Sequence, residues 1–588
     1  MSYAARIKFF FQRHWIALLF AVVVGGLAVA PQLLAIRALG ADYKGAHLLT
    51  LDDNSFYVAR MHEILDGHGW VSSPFIYEYK NAPPFLYPIG EYAYMWPVFF
   101  GASFVSALIF AKFFFPAVLF FLIYILLYRL TDAEPEYARK LASVAGGLLA
   151  TTGYGLVDYN SLLPVLNGKA QFFAWSLWAR PVNPVTGAIL LFTFLLLLWQ
   201  LMRRPSVGVV VAAGAVFALM FGYFFTWGMA LSVAGVLGAI AFVLRDYTFL
   251  KRLALAVAVG FMLAAPYWYN MRAVAAIPEA DRIYAQNGLL LTHAPIANKV
   301  LFLALLIFIS CLIAAYRKSK REGVALPHRW WFCSALILGG LWALNQQIIT
   351  GKTIWPYHFV QYTTPLAVVA VMAALAFVFR PRLPRLWAAG MLGVSAFALF
   401  YGVMAARTYA YQIPEFRSIQ TYDGVLSWLR ANAPDDCVVL SAEGVEEKLT
   451  RLIPAFTQCN DYANGWMQAS YNAEARVLHN ILTLMRVNGV TSRTVRAFLI
   501  EHRTWIRDHF RRDWRDLVFF DERWIDGLLR AREQDFTEFM NEDFLEALRR
   551  YRVDYVASDG PLKDWVYESL HRPLLIGDFD NDIYLYQL

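Results

Sequence analysis

Asp52 and Asp53 stand side by side at the head of the stretch Asp52-Asp53-Asn54-Ser55-Phe56-Tyr57-Val58-Ala59-Arg60. An Asp followed by Asn and Ser at a helix start is what N-capping alone selects, yet capping needs only one such residue. A second carboxylate beside the first suffers like-charge repulsion, so the pair reads equally as a cap and as a source of a general base. A base that takes a proton from a hydroxyl is useful where cations hold an anionic leaving group. The polar stretches between apolar runs supply such cations in Lys80, Arg180, Arg272, Lys352 and His358, and Tyr87 closes the proline-rich segment that Lys80 opens. In Gly351-Lys352-Thr-Ile-Trp-Pro-Tyr357-His358, an aromatic belt with a satisfied imidazole is the plainer alternative to ligand binding. Asp158 with Asn160 offers a second acidic position. With Asn in place of a second acid it is a poor site for Mg or Mn, because hard cations prefer more carboxylate.

The elements that must position these groups follow from hydropathy. With 59% hydrophobic and 16% charged residues over 588 positions, the chain is too apolar for a soluble protein. About eleven runs reach the length of a membrane span, near 15–36, 107–128, 141–157, 184–202, 207–223, 227–244, 253–271, 300–316, 330–349, 363–379 and 386–404. The first continues too far for a cleaved leader and is expected to stay. A single span is expected within 92–130. With the N-terminus inside, Arg203, Arg204 and the basic loops 245–252, 317–329 and 380–385 all fall on the inner face. The outer face then receives 37–106, 158–183, 272–299, 350–362 and the tail. Tyr57, Met61, Ile64 and Leu65 recur at helical spacing, so the aspartates head a short amphipathic helix, stopped at Gly67 and Gly69 and expected to lie in the interface plane.

The chain thus divides into a membrane part, 1–404, and an extracytoplasmic α/β domain, 405–588. The latter is expected to carry strands at 437–441 and 553–558 and a closing hairpin, 574–578 with 582–586. If it is extracytoplasmic, Cys437 and Cys459 either bridge or remain two thiols. The net charge of +8 is spread over short loops and speaks of membrane topology and anionic lipid, not nucleic acid. No nucleotide-binding motif is present.

The acidic pair and the residues after it, through Glu63-Ile-Leu, Gly67 and Trp70 to Lys80-Asn-Ala-Pro83-Pro84-Phe-Leu-Tyr87, resemble the first external loop of the GT-C superfamily. These are polytopic glycosyltransferases that use polyprenyl-phosphate-linked donors. The pattern is similar to that of the protein O-mannosyltransferase and lipid A aminoarabinose transferase branch, departing in a second Asp instead of Glu and in two residues, Asn81 and Ala82, between Lys80 and the prolines. The resemblance implies inverting transfer of a sugar from a polyprenyl-phosphate donor to a glycan, lipid or protein acceptor at the outer face of the cytoplasmic membrane. Asp52 and Asp53 would be catalytic; Lys80, Tyr87, Arg180, Arg272, Lys352 and His358 would bind substrate; Asp158 and Asn160 would hold any metal. The segment Tyr422 to Ser441 resembles the start of the soluble domain in oligosaccharyltransferase catalytic subunits. Where those carry Trp-Trp-Asp-Tyr-Gly, this chain has Ala442-Glu-Gly-Val-Glu-Glu447, which argues against peptide N-glycosylation. A transporter or flippase of a polyprenyl-linked saccharide, and a non-catalytic membrane protein with a binding tail, are the rival readings; a transporter would prefer ionisable residues within the spans.

Overall fold

The computed structural model describes residues 3–49, 52–157, 159–169, 171–173, 175–442, 446–464, 472–519, 521–579 and 583–588. Among them, eight helices are long and apolar enough to cross a membrane: Lys8–Asp42, Phe104–Leu130, Val185–Arg203, Phe224–Val243, Lys299–Glu322, His328–Thr350, Tyr357–Phe379 and Pro384–Gln420. A ninth crossing results if Tyr247–Leu263 and Ala265–Ala275, bent by 57° at their junction, count as one. The protein is a multi-pass helical membrane protein. Helices therefore occupy all eleven expected places, two of them shorter than the rest. The run 141–157 maps to Glu136–Ala150, 15 residues long, and 207–223 to Val207–Leu219, 13 residues long. At about 1.5 Å per residue each is shorter than about 30 Å of hydrocarbon, and the short helices Tyr154–Val157 and Met220–Gly222 continue them.

Local chemistry sets the helix ends. Ser103 Oγ accepts the Ser106 N–H at the head of Phe104–Leu130, and Asn298 Oδ1 accepts the Leu301 N–H at the head of Lys299–Glu322. Gly323, at φ +66°, ends the second of these. Before Phe104 lie only the short helices Ile89–Tyr94 and Trp96–Phe99, as a single span within 92–130 requires.

Ion pairs sort the two ends of the bundle. At one end Arg13 meets Glu136 at 2.9 Å, Arg203 and Arg329 meet Asp132 at 3.1 and 3.7 Å, and Arg380 meets Glu134. Arg203, Arg329 and Arg380 come from the basic segments read as inner. At the other end the first loop and the C-terminal part pack together. Asp461 N–H donates to the Phe75 carbonyl, Gln420 Nε2 to the Ala46 carbonyl, and Arg476 reaches Glu78.

Two strands, β1 (Leu289–Leu291) and β2 (Lys352–Ile354), form an antiparallel ribbon at this end. The C-terminal part holds a five-stranded sheet of β3 (Val438–Ser441), β4 (Asn460–Asp461), β5 (Tyr555–Asp559), β6 (Leu574–Phe579) and β7 (Ile583–Gln587), in the order β4-β3-β5-β7-β6. β3 is parallel to β4 and β5, and β5, β7 and β6 are antiparallel neighbours. β3, β5 and the hairpin lie where alternation predicts them; β4 and the ribbon are too short to leave a periodic signal. Cys437 and Cys459 are disulfide-bonded, joining the starts of β3 and β4. One continuous apolar core runs from the membrane helices into this sheet.

The helix Asp52–Leu65 corrects an expectation. Its stripe at helical spacing predicts one buried face, yet every residue from Asn54 to Met61 is buried, with the helix packed against the C-terminal helix Glu446–Phe456 and the short helix Ile89–Tyr94. Arg60 and Glu63 are turned inward and paired instead of solvated. Arg60, 1% exposed, bonds Glu91 and donates to the carbonyls of Val71 and Leu86 at 3.1 and 2.7 Å. A guanidinium satisfied on every side is the form in which such a charge can be buried.

Candidate active site

Asp52 and Asp53 are the first two residues of the buried helix Asp52–Leu65; their side chains lie outside the described residues. One turn beyond Asp53 stands Tyr57, which bonds Asn183 and feels the charges of Tyr223 and Glu91. Burial pushes its hydroxyl well above the usual phenol range. Tyr223 in turn pairs with His358, its hydroxyl 3.2 Å from the imidazole Nδ1. Against Tyr223, Tyr357 and Tyr362 lies the Arg180 guanidinium, which burial lowers from its ordinary value while the three phenols favour its charged form.

The imidazole of His358 is boxed by rings, 4.7 Å from Phe225, 4.6 Å from Tyr357 and stacked on Trp355 at 5.8 Å between centroids. Arg511, from the C-terminal part, lies 5.9 Å from the Trp355 ring centroid and donates to the Gln286 carbonyl at 2.6 Å. Two of the residues that hold this cluster, Val182 and Trp355, have φ of +61° and +39°. A β-branched and a bulky side chain in the left-handed region cost on the order of 1–3 kcal/mol each, and such strain gathers at functional sites.

Arg180 also lines a cavity of about 310 Å³ whose other walls are mostly apolar, among them Leu27, Pro116, Trp175 and Tyr401. The cluster therefore joins a half-buried cation, an imidazole and several phenols to an apolar hollow, beside the helix that carries the acidic pair.

No family model matches the chain, and no curated protein matches it. Among solved structures that match is the crystal structure of ArnT from Cupriavidus metallidurans bound to undecaprenyl phosphate. It has 14% sequence identity over 96% of this chain and 98% of that chain, with a TM-score of 0.38. So distant a likeness carries no weight for fold or activity.

The other expected site residues are dispersed. Lys80, 6% exposed, is clasped by Glu63 at 3.1 Å and by Asp436 of the C-terminal part. His68 Nε2 is 3.1 Å from the same Asp436 carboxylate. Burial holds the Glu63 carboxyl above its usual range; burial would also raise Asp436, but Lys80 and His68 outweigh it and hold that carboxyl below its usual range. Tyr87 packs edge-on between Trp70 and Tyr267. Arg272 and Lys352 are exposed, Lys352 on β2. Asp158 and the side chain of Asn160 lie outside the described residues; elsewhere, no three His, Cys, Asp or Glu gather as a cation site among the described residues.

Arg511, Tyr223 and Asp436 escaped the sequence reading because each looks like an ordinary loop or interface residue. Lys112 did leave a signal, as the one cation in the apolar stretch 107–128. It is 4% exposed, donates to Gln32 Oε1 at 2.8 Å, and sits 4.1 Å above the Trp175 ring.

Proposed function

We propose that the protein is an integral membrane glycosyltransferase of GT-C type, transferring a sugar from a polyprenyl-phosphate carrier to a hydroxyl acceptor at the face of the membrane where the first loop and the C-terminal part meet. The observation that carries this reading is the juxtaposition of Arg180 and His358 with the head of the helix Asp52–Leu65, through Tyr57 and Tyr223, where Arg180 also lines an apolar cavity. A substrate that combines a long hydrocarbon with one phosphate fits a hollow of that kind with a guanidinium in its wall.

In the reaction, one carboxylate of the pair takes the acceptor's hydroxyl proton, and the hydroxyl oxygen attacks the anomeric carbon. The bond from that carbon to the phosphate oxygen breaks with inversion, and the polyprenyl phosphate leaves with the electron pair, held by Arg180. The acceptor is a glycan, a lipid or a protein. No step needs a nucleotide.

The test is conversion of donor by the purified protein. Incubated with polyprenyl-phosphate sugar and a membrane extract as acceptor source, it should release free polyprenyl phosphate in equal amount to the sugar transferred. A transporter or flippase, the reading that Lys112 within a span favours, would move the donor between leaflets and leave it intact.

A further inference from the structure

A second hollow, of about 470 Å³, is walled by the turn Gly67–Val71, by Lys80 to Pro84 and by the helix Ala265–Ala275. Two of its rings are turned outward: Trp70 is 60% exposed and Tyr269 80%. Of its wall residues, Lys80 holds its ammonium between the carboxylates of Glu63 and Asp436, and His68 lies against the latter. Lys80 is thus already neutralised twice over, so the hollow does not call for an anion. What it offers is a set of hydrogen-bond donors and acceptors held in fixed order beside open aromatic faces.

The walls are preformed. Val71 has φ +46°, a costly conformation for a β-branched residue, and its carbonyl is held by Arg60 Nη1 at 3.1 Å. Asn270 Nδ2 donates to the Pro84 carbonyl at 2.7 Å, tying the helix to the opposite wall. Tyr87 props Trp70 from behind, with ring centroids 5.4 Å apart.

We propose that this cleft binds an uncharged sugar ring, its C–H face stacked on Trp70 or Tyr269 and its hydroxyls reaching the polar groups of His68, Lys80, Asn81 and Asn270 in its walls. Rings of this kind present an apolar face and an equatorial belt of hydroxyls, which matches aromatic faces set beside fixed charged groups. The proposal rests on the transferase reading for its role, which is to hold the saccharide of either donor or acceptor.

The experiment uses the full chain in lipid nanodiscs, free of sugar-based detergent, with a panel of methyl pentosides and hexosides followed by saturation-transfer NMR. At least one glycoside should receive saturation on its ring protons, and Trp70→Ala and Tyr269→Ala should each weaken its binding about tenfold, with Trp70→Phe largely restoring it. Inorganic phosphate should not compete. Displacement by a polyprenyl-phosphate sugar would assign the cleft to the donor's ring; binding that persists in its presence would assign it to the acceptor's. Absence of any glycoside signal, binding unaltered in both Ala variants, or displacement by phosphate would each overturn the proposal, the second leaving the rings as interface anchors. Glycoside binding without donor turnover would keep the cleft and remove the transferase reading, so the two fail separately.

Discussion

Arg180 is the residue on which phosphate recognition depends in this account. It is half-buried among phenols and lines an apolar cavity, so its removal takes away the only charge we assign to the leaving group. Arg180→Ala should weaken binding of an isoprenyl phosphate by about 10- to 100-fold, the range of a charge-assisted hydrogen bond, while Arg180→Lys recovers part of the loss. Titration of the purified variants checks this, and equal affinity in all three proteins would remove Arg180 from the site. At this scale the sequence was half legible. Arg180 and His358 could be picked out because cations and imidazoles next to a membrane are few. Lys80 was legible as important, through its place before the prolines, but its partner Asp436 lies more than 350 positions away in sequence, and no local pattern encodes such a pairing.

At the level of elements, the helix Glu474–Val487 carries a pH dependence that can be measured. His479 is buried with its Nε2 2.7 Å from the Tyr462 hydroxyl, and burial lowers its pKa to about 3. A His whose folded pKa lies below its unfolded value near 6.5 is neutral in the folded protein and takes up its proton on unfolding. Its contribution is therefore intact above about pH 6.5 and is lost as pH falls from there toward 3. Comparison of thermal unfolding at pH 7 and pH 5 should show His479→Gln with a shallower loss than the parent, by up to about 1.4 kcal/mol per pH unit. Parallel slopes would mean that His479 titrates elsewhere. The elements themselves were largely written in the hydropathy, since a span needs a long apolar run. The helix Asp52–Leu65 was not: its i, i+4 stripe predicts one buried face, whereas tertiary packing buries both by pairing Arg60 with Glu91 and Glu63 with Lys80.

For the whole molecule, the first loop and the C-terminal part share a core and so lie on one side of the membrane. We propose that this side is the outer one, a reading that rests on charge bias, since Arg203, Arg329 and Arg380 gather at the opposite end. Cysteines placed at exposed Ala41 and Asp564 should react with an impermeant reagent in intact cells, and one at exposed Lys320 should not; the reverse pattern would turn the site inward. The central claim is that a carboxylate at the head of the helix Asp52–Leu65 acts as the base of a sugar transfer, and one measurement bears on it most directly. Asn caps a helix about as well as Asp but cannot take the proton. Rates of polyprenyl phosphate release should therefore be compared for the parent, Asp52→Asn, Asp53→Asn and the double variant, all folded and inserted. We predict a loss on the order of 100- to 10,000-fold in the double variant and in the single variant that removes the base, with Asp52 the expected base and Asp53 the milder site. Near-parental release by the double variant would contradict the account, leaving the pair as a helix cap and the base to be sought elsewhere.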